Sequence, residues 1–409
     1  MTTAPSLPTL TESAALLQPE LAALRQALHR EPEIGLDLPL TQAKILAALD
    51  GLPLTVTLGG KLSSVTAVLR GAKPGPTVLL RGDMDALPVH ETSGLPYAST
   101  VPGAMHACGH DLHVAVLAGA ARLLAERRET LAGDVVFMFQ PGEEGKGGAK
   151  VMIEEGLLDA SGSTPVAAYA LHVASAMPRG QVLCRRGPIM AAADTLTVTM
   201  RGRGGHGSAP HAALDPVPAA CEAVLALQTM VTRRFDAFDP VVVTVGTFHA
   251  GTINNVIPDD AFFEATVRSF SPEARERVRE ESLRVVRGIA AAHGLEVDAE
   301  YEDLYPVTVN DVAEADFVAT TARELLGEER YVTMPQPLAG AEDFSYVGEL
   351  VPSGYFFLGA CAEGKDPATA PYNHSPEAVF DDSVLADGAA LLAELALRRL
   401  AAAPIGEER

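Results

Sequence analysis

Apolar residues recur along the chain in two rhythms, and the rhythm changes near residue 190. Leu17, Leu21, Leu24 and Leu28 repeat at helical spacing and predict an amphipathic helix. His29 at its end reads as a surface histidine or one that complements the helix dipole. The run Thr77-Val78-Leu79-Leu80-Arg81 predicts a buried strand that ends in Gly82-Asp83-Met84-Asp85. A Pro- and Gly-rich loop leads to His106-Ala107-Cys108-Gly109-His110-Asp111. There Asp111 is placed as the N-cap of a helix whose face carries Val114, Leu117, Ala121 and Leu124. Residues 135–139 predict a second buried strand, followed by Gln140-Pro141-Gly142-Glu143-Glu144. A short helix over 147–155 closes at Gly156, and a third strand over 167–171 runs to His172. Strands alternating with helices imply an α/β sheet of mainly parallel strands.

Beyond residue 190, Leu196, Val198 and Met200 alternate with Thr195, Thr197, Thr199 and Arg201, the pattern of a half-exposed antiparallel strand. A helix over 216–234 follows, then strands over 241–248 and 261–270. Ser271-Pro272 opens a helix that runs to about 293, with Pro at its first position, and a last strand ends at 301. The order β-α-β-β-α-β is that of a ferredoxin-like α+β insertion. The α/β pattern resumes with a helix from 310, a strand over 354–358 and a helix over 383–400. The expected division is a catalytic domain over 1–188 and 303–409, interrupted by an inserted domain over 189–302.

Composition narrows the functional classes. A formal net charge of −22 repels phosphate backbones, so no nucleic-acid partner is expected. No apolar run approaches the roughly 18 residues of a membrane helix, so no membrane partner is expected. The first ten residues lack the basic flank and apolar stretch of a signal peptide. Four scattered cysteines give no disulfide framework, and a cytoplasmic location is expected. Cys184, Cys221 and Cys361 stand among apolar or small neighbours and read as buried, inert thiols.

Cys108 differs, because potential metal ligands gather at the predicted strand ends with it. Asp83, Cys108 and His110, Glu143 and Glu144, and His172 all lie there or in connecting loops. Open α/β sheets build sites at that edge. Thiolate, imidazole and carboxylate together suit a transition metal. Taken singly, a Cys-x-His pair is incidental in most chains and a Glu-Glu pair is usually solvated. In an extended segment Glu143 and Glu144 would point to opposite sides. One could then bind metal while the other serves as base toward water. Asp83 could orient a ligating imidazole. His113 is a candidate for such a supporting role, and His211 a weaker candidate for substrate contact.

Eight ordered motifs give a resemblance. They are Gly82-Asp-Met-Asp-Ala-Leu-Pro, His106-Ala-Cys-Gly-His-Asp-Leu-His, Gln140-Pro-Gly-Glu-Glu-Gly, Leu171-His-Val, Gly204-Gly-His-Gly-Ser, Asn255-Val-Ile-Pro, Ala341-Glu-Asp-Phe and Asn373-His-Ser-Pro. They resemble the N-acyl-amino-acid amidohydrolases, such as hippurate and auxin-conjugate hydrolases, within the aminoacylase/carboxypeptidase metallohydrolases, and the resemblance runs from about residue 29 to 382. The resemblance implies a zinc-peptidase-like catalytic domain with an inserted lid and dimerisation domain. It implies two divalent ions (zinc, manganese, cobalt or nickel) with Cys108 bridging, His110 and His172 on one, and Glu144 and His374 on the other. It gives Glu143 as general base, Asp83 as supporting carboxylate, and His206 and Asn255 as substrate-binding residues of the lid, His206 acting in catalysis. A homodimer or higher homo-oligomer follows, acting on a small N-acyl amino acid. Gly142 stands where Ala is frequent, with little consequence expected. The stretch after His374 is longer than in some relatives and bears on the acyl pocket.

Three rivals remain open at this level. A dipeptidase or carboxypeptidase would use the same metals. A non-catalytic binding protein would not need Glu143. A cysteine nucleophile would pair Cys108 with His110.

Overall fold

The computed structural model describes residues 8–402; part of the leader-peptide reading falls on residues outside them. Its buried apolar runs form the middle of an eight-stranded sheet. In spatial order the strands are Leu54–Leu58, Val65–Arg70, Ala132–Gln140, Lys73–Asp83, Ala167–Ala174, Ser353–Gly359, Val182–Cys184 and Tyr331–Thr333. The four central strands run parallel, and antiparallel pairings flank them. All residues of Ala167–Ala174 and Ser353–Gly359 are buried, as strands covered on both faces must be. Helices Leu10–Arg30, His110–Glu126 and Leu385–Ala401 pack on one another. Leu21, Leu28, Leu117 and Leu391 thereby enter one core with Leu80, Phe137 and Leu171. Parallel central strands put their C-terminal ends on one edge, and that edge carries Asp83, Gln140 and His172.

Met190–Thr308 with Pro337–Ser345 forms a second, smaller compact unit. Its strands Ala192–Arg201, Val241–Ala250, Asp260–Ser269 and Glu296–Tyr305 pair antiparallel, with the 260–269 and 192–201 strands central. Helices Pro216–Arg234 and Pro272–Ala292 bury Ala223, Leu227, Val278 and Val286 against Leu196, Val198 and Phe263. This is the ferredoxin-like order read from the alternation. Ser271 caps the second helix by accepting from the Ala274 N–H at 3.0 Å. The closing strand reaches Tyr305 because its ladder with the 192–201 strand continues past a bulge between Asp303 and Tyr305.

Three local expectations are corrected. Asp111 is no N-cap: Gly109 precedes the helix in a left-handed conformation, and Asp111 lies buried in the first turn. Its carboxylate is held by Arg25 at 2.8 Å and His29 at 2.7 Å. His29 is therefore no surface residue: it is fully buried, and its second nitrogen lies 3.2 Å from Glu91. A buried charge needs a partner, and this cluster supplies one to each member. Cys221, read as buried, is exposed on the helix Pro216–Arg234 because it falls on that helix's outer face.

Candidate metal centre

Cys108 sits buried in the loop before the helix His110–Glu126. Gly109 turns the chain between the two donors at φ +85°, and a Cβ there would lie 2.4 Å from Val173 Cγ2. Only glycine fits that turn. His110 Nδ1 donates to the Asp85 carbonyl oxygen at 2.9 Å, and His172 Nδ1 donates to the Val173 carbonyl oxygen at 2.8 Å. Both rings thus keep Nδ1 as a donor and leave Nε2 as the nitrogen a metal would take. His172 Nε2 lies 3.5 Å from Cys108 Sγ.

On the other side of the thiol, His374 Nε2 lies 3.3 Å from Cys108 Sγ and 3.2 Å from Glu144 Oε1. His374 has φ +73°, the one positive value at a non-glycine residue among the described residues. That conformation costs roughly 1–2 kcal/mol, and a 2.8 Å bond from its N–H to the Ala107 carbonyl oxygen helps to hold it. Strain of this kind persists where surrounding structure over-determines it.

The donors form two groups that share Cys108: one with His110 and His172, the other with Glu144 and His374. Within each, the donor atoms lie within 4.8 Å of one another. His110 Nε2 is buried with no hydrogen-bond partner among the described residues, and Glu144 Oε1 stands beside His374 Nε2. A buried polar atom without a partner is costly, and a cation there would satisfy His110 Nε2. Burial opposes charge on His110, yet Asp83 and Cys108 beside it hold its pKa well above the usual value. Hydrogen bonds to Cys108 and Glu144 push His374 up to about 10. His172 goes the other way: burial, then the neighbouring His113, keep it well below the usual value and neutral. Clustered thiol, imidazole and carboxylate of this kind make up a site suited to a pair of metal ions.

Glu143 and Glu144 are not in an extended segment as expected, but in a turn after the strand Ala132–Gln140. Both of their N–H groups donate to the Asp85 carboxylate, at 3.0 and 3.1 Å. Both side chains therefore come within reach of His110. Gly142 before them matters more than expected, since φ is +72° and a Cβ would lie 2.3 Å from Leu36 Cδ2.

Asp83 is fully buried and accepts from Arg81 and from His113 Nδ1. Burial opposes its charge, but Arg81, His110 and His113 outweigh burial and hold its pKa well below the carboxylate range. His113 Nε2 accepts the Val173 N–H at 2.8 Å. With both nitrogens engaged, His113 is a brace and not a ligand. Two residues that the sequence reading gave no role stand out: Asp85, under the Glu pair, and Asn373, beside Cys108. Their signals were the second acid of Asp83-Met84-Asp85 and the position just before His374.

His206 and Asn255 belong to the smaller unit and come together there. The short strands Gly205–His206 and Val256–Ile257 pair, and the Gly207 N–H donates to the Asn255 carbonyl oxygen at 2.8 Å. Both side chains are exposed. His206 Nδ1 accepts from the Ser208 N–H at 3.1 Å. His211 is an exposed turn residue.

The α/β sheet, the smaller inserted domain and the donor cluster define a metal-dependent hydrolase acting on amide or peptide bonds. The chain belongs to peptidase family M20/M25/M40, whose model matches residues 79–398. It is 38% identical over 379 residues to thermostable carboxypeptidase 2 of Saccharolobus solfataricus, covering 92% of this chain and 94% of that one. It is 37% identical over 387 residues to the hippurate hydrolase of Campylobacter jejuni, covering 94% and 97%. Among solved structures, it is similar to the Bacillus subtilis YXEP protein, a dinuclear metal-binding peptidase of the M20 family. There the TM-score is 0.81 at 32% identity, over 95% of this chain and 99% of that chain. No helix among the described residues is long and apolar enough to cross a membrane.

Proposed function

We propose that this chain hydrolyses the amide bond of small N-acyl amino acids and releases a carboxylic acid and a free amino acid. The carrying observation is the Cys108 thiol, which joins both donor groups, with Glu143 in the same turn as Glu144. In this reading Cys108, His110 and His172 would hold one divalent ion, and Cys108, Glu144 and His374 would hold a second. Zinc suits the thiolate, while manganese, cobalt and nickel suit the imidazoles and carboxylate. When bound, such ions supply a hydroxide near neutral pH and polarise the acyl carbonyl.

The chain's own residues do the rest. Glu143 takes the proton from water and returns it to the leaving amine. Asp85 fixes the turn that carries Glu143, and Asp83 braces His113 beneath the strand end that bears His172. His206 and Asn255 of the inserted lid domain bind the substrate, His206 donating where negative charge develops on the carbonyl oxygen. The lid also dimerises, so that His206 serves the neighbouring subunit. Free Cys108 suits a reducing cytoplasm.

A carboxypeptidase or dipeptidase is the second reading, favoured by the 38% identity to the Saccharolobus enzyme. Metal-reconstituted apoprotein assayed on hippurate and other N-acyl amino acids against dipeptides separates the two. Higher kcat/KM on N-acyl amino acids is expected; a preference for dipeptides would establish the peptidase.

A further inference from the structure

Asn373 precedes His374, and its side-chain amide reaches the two other chain segments that carry Cys108 and His172. Nδ2 donates to the Cys108 carbonyl oxygen at 3.2 Å and to the Val173 carbonyl oxygen at 3.0 Å. It also lies 3.8 Å from Cys108 Sγ. Oδ1 accepts the Ser175 N–H at 3.0 Å. The Ser175 hydroxyl stands 3.1 Å from Oδ1 and 2.8 Å from the Pro371 carbonyl oxygen, which closes the loop ahead of Asn373.

The Val173 carbonyl oxygen is shared, because it also accepts from His172 Nδ1 and so fixes that ring's tautomer. One amide therefore holds the Cys108 peptide, the carbonyl that orients His172, and the start of the strained His374. No other residue type does this at that reach: two acceptors face one end and an N–H faces the other, and Asn has two donors and one acceptor oxygen in a rigid plane. Holding His374 at positive φ needs such over-determination.

We propose that Asn373 is a positioning residue of the metal centre, tying the Cys108, His172 and His374 segments into one frame that sets metal affinity. The inference rests on the reading that these three residues bind metal. The amide nitrogen also lies near the thiol, so its removal is expected to alter the thiolate's surroundings.

The test uses cobalt(II) titration of metal-free protein, read by the thiolate-to-cobalt charge-transfer absorption, with parent, Asn373→Ala and Asn373→Asp. Alanine removes every arm of the network. Aspartate keeps the shape but turns the donor end toward two carbonyl oxygens as an acceptor. Both variants should bind cobalt roughly 10–100-fold more weakly and shift or weaken the absorption, with metal-free unfolding midpoints near the parent's. A variant that matches the parent in affinity and absorption overturns the proposal. So does a lowered unfolding midpoint with unchanged affinity and absorption, which would mark a merely structural role. Metal-free forms of both variants that fail to fold would make Asn373 a folding residue and also overturn it. Failure of the underlying reading looks different: the parent itself would show no thiolate absorption with cobalt.

Discussion

Asp85 Oδ1 accepts the Glu143 N–H at 3.0 Å, so the proposed base is placed by a carboxylate from a different strand end. The other oxygen takes the Glu144 N–H at 3.1 Å. Asp85→Asn leaves one acceptor oxygen and sets an NH₂ group against an N–H. The loss of one such bond is expected to cost about 1–3 kcal/mol of stability. Displacing the turn is expected to lower turnover by up to about 100-fold, since an error near 1 Å in a catalytic group has that effect. Denaturant unfolding and initial rates measure both; an unchanged rate would detach Asp85 from the base.

Glu143→Gln should retain both metals and lose roughly 10²–10⁴-fold in rate, because base and acid disappear together. Metal analysis beside steady-state kinetics is the check. Loss of metal would mean that Glu143 and Glu144 have exchanged roles, and parental turnover would end the assignment.

Cys108→Ser should bind metal more weakly, since an alcohol stays protonated where a thiolate would meet two cations. Equal metal content in purified parent and variant would rule out a bridging Cys108. Activity that survived chelation but was lost to a thiol reagent would favour a cysteine nucleophile instead.

His206→Ala should cut turnover without removing metal, a loss equivalent to about 2.7–4 kcal/mol if one oxyanion donor is removed. Hybrids of His206→Ala and Glu143→Gln subunits should recover activity, because one site in each is whole. Verified hybrids that stay inactive while both parents keep their metals would exclude action across a dimer.

Asp111→Asn should destabilise the fold by about 3–5 kcal/mol, since Arg25 and His29 would remain buried without their main partner. Burial lowers the His29 pKa, but Asp111 and Glu91 outweigh both burial and the nearby Arg25, so the net shift is upward. Tyr97 and His106 also face this ring. A raised pKa contributes stability that is complete below the unfolded value near 6.5 and is lost as pH rises through the folded value. The gap between parent and variant should therefore narrow as pH climbs above about 6.5. Unfolding free energies measured across pH 5–9 test this; a gap that widens with pH would contradict it.

Much of the architecture was legible in local pattern. The run Val78-Leu79-Leu80 reads as a covered strand from its shortness and its Gly-containing flank, and the alternation around Leu196, Val198 and Met200 as a half-exposed one, because side-chain period follows backbone geometry. The donor types Cys108, His110, Glu143, Glu144 and His172 were visible because few side chains bind a metal, whereas His374 came from the family resemblance alone. Asp111 and His29 were misread because burial depends on what packs against a residue. The Leu10–Arg30 and His110–Glu126 helices meet across some 80 positions of chain. The turn at Glu143 was missed because a carboxylate 58 residues away organises it. Chemistry was written in residue identity, which the sequence states outright. Tautomers, the strained φ of His374 and the reach of the Asn373 amide depend on hydrogen bonds between distant segments, and only tertiary structure decides where those partners stand.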